Sequence, residues 1–167
     1  MNLLIIVFVF LSLLGSIMWV MPTKRDRFLA KLRLQARPLG FQVQLIKLTY
    51  PREMGEVEAR VVSAVIYRLL RGTIAQDIHN TWNCWRVVKC TTNASDGLIK
   101  GWGWALGERT MNHEQLVHLN YILKNLPEGV YGLESTPVHV SAYWNERESE
   151  ELQNVERTLQ EMISKML

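Results

Sequence analysis

Residues 112–144 read NHEQLVHLNYILKNLPEGVYGLESTPVHVSAYW, and a change of hydrophobic period inside this stretch decides the fold class. Leu116, Leu119, Leu123 and Leu126 recur every three or four residues, the spacing of one helix face. Asn112 and Gln115 stand in capping-box positions before them, and Pro127 and Gly129 end the run. Val138, Val140 and Ala142 then alternate with His139, Ser141 and Tyr143, the period of a strand with one face buried. Pro137 suits the start or edge of such a strand. Beyond it, Leu152, Val155, Leu159, Met162 and Met166 return to helical spacing, with Asn145 and Glu148 as a second expected capping box. Helix, strand, helix in that order predicts an α+β domain.

The upstream chain fits the same class. Residues 24–37 predict a helix with Phe28, Leu29, Leu32 and Ala36 on one stripe, ended by Pro38 and Gly40. Phe41, Val43 and Leu45 alternate with Gln42 and Gln44, which predicts a strand over 41–48. Strands are also predicted over 61–70, 85–90 and 101–106, although Val57, Val61 and Val65 would fit a helix as well. Residues 91–97 (TTNASDG) read as a loop. The sum is one mainly antiparallel sheet covered on one face by helices, in a single domain over 41–167.

Before that domain, Leu3–Met21 is almost wholly apolar and uncharged, LLIIVFVFLSLLGSIMWVM. At about 1.5 Å per residue it would reach roughly 28 Å, so residues 1–22 are expected to form a transmembrane anchor. Lys24, Arg25, Arg27, Lys31 and Arg33 follow it, against Asp26 alone. Residues 23–40 therefore predict a basic juxtamembrane helix whose cations face the membrane surface. The positive-inside rule then expects a single-pass bacterial inner-membrane protein, its N-terminus outside and its C-terminal domain cytoplasmic. Ser12, Gly15 and Ser16 leave room for homodimerisation through that segment without predicting it.

Function classes are narrowed mostly by exclusion. The net charge of +3 sits largely in the 24–37 cluster, so nucleic acid is not an expected partner. Cys84 and Cys90 lie too far apart along a strand for a disulfide and number too few for a zinc site. Gly101, Gly103 and Gly107 have the wrong spacing for a dinucleotide fingerprint. His79, His113, His118 and His139 form no ligand pattern, and Glu108, Glu134, Cys84 and Cys90 lie in no nucleophile or acid motif. No catalytic, cofactor-binding or metal residue is assigned. Trp102 and Trp104, on one side of a short strand, are either core or a partner-binding surface. At least one of them is expected to be buried with its indole N–H paired.

The stretch Met21-Pro22-Thr23-Lys24-Arg25-Asp26-Arg27, after an apolar run, resembles the YajC-type accessory subunit of the Sec translocon. The resemblance covers residues 1–37 and implies an accessory role in protein translocation. The Gly-Asp-rich strand segment of that family does not follow the helix here. Segments 133–137 and 101–104 also resemble uncharacterised small bacterial single-pass inner-membrane proteins. The expected function is a non-catalytic binding or scaffolding domain. Its partners would be the lipid bilayer and another membrane or cytoplasmic protein. The alternatives are a translocation accessory subunit or a membrane-tethered enzyme.

Overall fold

A computed structural model describes residues 2–52, 58–72, 81–92 and 94–167, with the side chains of 2 and 17–20 left aside. The sequence readings that involved Val57, Thr73, His79 and Asn93 lie outside the described residues. Helix α1 covers Asn2–Val20 and α2 covers Lys24–Ala36. Thr23 caps α2: its hydroxyl accepts from the Asp26 N–H, and the Asp26 carboxylate accepts from the Thr23 N–H in return.

Six strands follow: β1 Phe41–Thr49, β2 Val61–Leu70, β3 Trp85–Lys89, β4 Trp102–Leu106, β5 Val130–Ser135 and β6 His139–Trp144. Helix α3, His113–Asn125, lies between β4 and β5, and α4, Glu151–Ser164, comes after β6. All pairings are antiparallel, and the sheet order is β1-β2-β6-β5-β3-β4.

The helices pack on one face of that sheet. Leu32 and Ala36 of α2, Leu119, Ile122 and Leu123 of α3, and Leu152, Val155, Leu159 and Met162 of α4 are buried there. They meet Tyr67, Val87, Leu133, Val140, Ala142 and Trp144 from the strands. Each such aliphatic side chain removed from water contributes about 1.5–3 kcal/mol, so the three stripes hold the layers together. A smaller cluster of Leu48, Ala64, Ile66, Val88 and Tyr143 lies on the opposite face.

Among the described residues no helix is long and apolar enough to cross a membrane, which corrects the expected transmembrane anchor over 1–22. The single-pass inner-membrane placement, the outward N-terminus and the cytoplasmic location of the domain rested on that anchor and are withdrawn with it. The large apolar side chains from Leu3 to Leu14 are exposed in this structure.

Two local readings also change. Val130–Ser135 is a strand that the sequence reading passed over. The expected cap of the last helix is absent: Glu150 holds the N-cap position without a side-chain bond, and the Asn145 side chain accepts from the Arg147 N–H instead.

Candidate functional site

The outer edge of β1 and the helix beside it form a candidate recognition surface. Helix α2 ends at Ala36, and the chain reverses into β1 through Gly40, whose N–H donates to the Arg37 carbonyl at 3.0 Å. Gly40 has φ +84°, a left-handed conformation that would cost a residue with a Cβ about 1–2 kcal/mol. This short turn lays the last turn of α2 alongside the first half of β1.

Among the described residues, strand β1 is the end strand of the sheet and pairs on one side only, with β2. The register runs from Phe41 opposite Leu69 to Thr49 opposite Val61. One residue further, the Tyr50 N–H donates to the Arg60 carbonyl at 2.9 Å. In an antiparallel ladder such bonded pairs alternate, so the even-numbered residues of β1 bond to β2. Val43, Leu45 and Lys47 consequently aim their N–H and C=O groups away from the sheet. Strand β1 has nine residues, lacks proline and carries a single charge, at Lys47. Proteins usually blunt a long edge with charge, proline or a covering segment. The opposite edge is covered in this way: the Trp104 N–H of β4 donates to the Ala94 carbonyl at 2.6 Å.

A cleft of about 480 Å³ opens on this edge, lined by Arg33, Arg37, Phe41, Gln42, Val43, Gln44, Leu45 and Val65. Five consecutive strand residues line it, from both faces of the strand, so it follows the strand's edge rather than one face. Phe41 is buried as its floor, and Leu45, 73% exposed, stands at its rim.

Arg33 is held in the wall. Its Nε and Nη2 both donate to the Glu146 carboxylate at 2.7 Å, and the Tyr67 hydroxyl donates to the same group at 2.8 Å. Glu146 and Tyr67 are buried, while about two-fifths of the Arg33 side chain reaches solvent. The Glu146 bond raises the Arg33 pKa, and burial followed by the neighbouring Glu146 raises that of the Tyr67 hydroxyl. Glu146 has φ +55°, a conformation uncommon for a residue other than glycine. Phe41, Tyr67 and Trp144 pack edge to face behind it, with centroids 5.6 and 5.1 Å apart.

A second polar group runs across the helix-free face. Arg68, Ser141, Glu134 and Arg86 are cross-strand neighbours in register on β2, β6, β5 and β3. Glu134 accepts from Arg86 at 3.0 Å and from the Tyr143 hydroxyl at 2.8 Å. Burial, then the Glu134 charge, pushes the Tyr143 hydroxyl pKa upward. Nε of Arg68, Nε of Arg86 and Oγ of Ser141 are buried without hydrogen-bond partners. Since these atoms are closed to solvent, the row is an internal seam rather than an opening.

Trp102 and Trp104 are each 4% exposed and belong to the helix-side core. The Trp104 indole N–H donates to the Asp96 carbonyl at 2.9 Å. They do not offer a surface to a partner. Of the basic residues of α2, Lys24, Arg27 and Lys31 are exposed. Arg25 lies over the Phe28 ring and donates to the Asn145 carbonyl, and Arg33 joins Glu146. Cys84 is exposed and Cys90 half-buried, neither in a disulfide, and Glu134 is engaged in its ion pair. His118 lies 3.2 Å from Glu161. No cluster of three or more histidine, cysteine or acidic side chains suited to a metal occurs among the described residues.

The sequence reading did not single out the β1 edge. Its one local signal was the glutamine–apolar alternation over 41–45, and the edge position itself depends on strand order.

No protein-family model, curated protein or solved structure matches this chain, so none of these comparisons bears on the resemblance of residues 1–37 to the translocon accessory family.

Proposed function

We propose that this protein is a binding module that recruits an extended segment of a partner protein by adding it as a strand to the free edge of β1. The nine-residue edge, unpaired among the described residues, carries this reading, because its outward backbone groups are a template for another chain. The cleft beside it adds side-chain contacts to the backbone bonds, the combination from which strand addition gains specificity. Leu45 at the rim supplies exposed apolar surface for the incoming chain to cover.

Proline substitution separates the edge from the fold. At Leu45 a proline removes an outward N–H, leaving the β1–β2 ladder intact. At Gln44 it removes a bond to β2 and should destabilise by about 3 kcal/mol. The test uses the full chain in mild detergent, which keeps the exposed side chains of α1 from associating. A displayed library of random twelve-residue peptides is panned on it. Leu45→Ala removes only the side-chain contact, so enriched peptides should lose at least about tenfold more affinity on Leu45→Pro than on Leu45→Ala. Enriched peptides that bind Leu45→Pro as well as wild type would overturn strand addition, as would a failure to enrich any.

A further inference from the structure

Resting on that reading, we infer that the segment β1 accepts is acidic: a peptide that places carboxylates on its α2-facing side, with an apolar residue on the same side beside Leu45. Neither carboxylate nor carboxylic acid occurs among the eight residues that line the cleft, whereas two arginines do. Glu146, the acid bonded to Arg33 of the cleft wall, is buried and already holds Arg33 and Tyr67. Arg37 is exposed, one helical turn beyond Arg33, and is paired with no carboxylate among the described residues. Lys24, Arg27 and Lys31 add the same sign to α2 on its other exposed flank. Charge complementarity of this kind sets the choice and the capture rate of a partner more than its final affinity.

Geometry fixes where the acids fall. The odd-numbered side chains of β1 point to the helix-covered face, since Phe41 and Val43 pack into that core. An added strand alternates in the same way, so every second residue of it faces α2. Those near Phe41 meet Arg37, which stands just before the turn, and those near Leu45 meet the exposed leucine. A second copy of this chain is the poorer occupant. Pairing β1 with β1 would bring a second basic α2 to the same seam, and like charges opposed there disfavour the pair.

The experiment uses three labelled ten-residue peptides of one alternating pattern, with leucine at the α2-facing position beside Leu45 and Glu, Gln or Lys at the other α2-facing positions. Binding to the full chain in mild detergent is followed by fluorescence anisotropy. At about 50 mM salt the Glu peptide should bind at least about tenfold more tightly than the Lys peptide, and the gap should shrink toward twofold near 0.5 M. Arg37→Gln should narrow the gap, and Arg37→Glu should reverse the order. Equal binding of all three peptides, each still lost on Leu45→Pro, would overturn the acidic preference and leave strand addition standing. An order that ignores Arg37→Glu would overturn it too. Binding by none of the three would overturn both. Stronger binding of a single-stranded oligonucleotide than of the Glu peptide, unaffected by Leu45→Pro, would reassign the basic cleft to nucleic acid and overturn the proposal.

Discussion

Replacing Glu146 by alanine tests how the cleft wall is held. The carboxylate accepts from Arg33 twice and from the Tyr67 hydroxyl once, and it is buried. After truncation the Tyr67 hydroxyl, on a fully buried residue, has lost its acceptor, which costs about 1–3 kcal/mol. Arg33 is partly exposed and can turn to water, so its share is smaller, about 1 kcal/mol or less. The expected loss is therefore about 1–4 kcal/mol, and Glu146→Gln, which keeps an acceptor for Tyr67, should lose roughly half as much. The assay is urea denaturation of the full chain in mild detergent, followed by tryptophan fluorescence and circular dichroism together. Coincident transitions with an unchanged slope license the comparison. Adding Tyr67→Phe to Glu146→Ala removes the orphaned hydroxyl, so the double variant should be more stable than the sum of the singles by about 1–2 kcal/mol. Strict additivity would refute the idea that the buried hydroxyl dominates the loss. A Glu146→Ala variant as stable as wild type would refute the role of this triad altogether.

Two further predictions follow from the core and from one half-buried histidine. Trp104→Ala should destabilise by about 3–5 kcal/mol in the same urea assay, since the indole is 4% exposed and bonded to Asp96; an unchanged midpoint would return that residue to the surface. The His139 pKa lies below its usual 6.5 because of burial, then the nearby Arg68 cation, and its Nε2 is buried without a partner. With the folded value below the unfolded one, stability is full above about pH 6.5 and declines as the pH falls through 6.5, levelling off once the folded-state pKa is passed. The urea midpoint should accordingly be lower at pH 5 than at pH 7.5, and His139→Gln should remove part of that difference. An identical pH dependence in His139→Gln would assign it to other groups.

Local periodicity made much of the domain legible. Helices α2, α3 and α4 and strands β1, β2 and β6 follow from apolar spacing because each buries one face against a layer. Strand β5 escaped because its open-face residues, Gly132 and Glu134, look like loop residues; Glu134 is buried there only through partners on β3 and β6. The second capping box failed for a similar reason. Glu146 turns into the left-handed region to reach Tyr67 and Arg33, so the helix starts later. Arg33 falls on the basic side of α2 by spacing, and its bond to a residue 113 positions away has no local signature. The apolar run at the N-terminus suggested a membrane span, yet the described residues hold no helix that meets that length and apolarity. The edge position of β1 could not be read either, because it depends on β2 pairing with β6 rather than with β3.

The most direct measurement of strand addition is residue-resolved amide hydrogen exchange of the full chain, in mild detergent, with and without the Glu peptide. In the free protein the N–H groups of Gln44 and Ile46 should exchange slowly, bonded to β2, while those of Val43, Leu45 and Lys47 exchange fast. Saturating peptide should slow exchange at Val43, Leu45 and Lys47 by at least about tenfold and leave Gln44 and Ile46 nearly unchanged. Protection confined to other parts of the chain, with these three outward amides still exchanging fast in the complex, would contradict strand addition at β1.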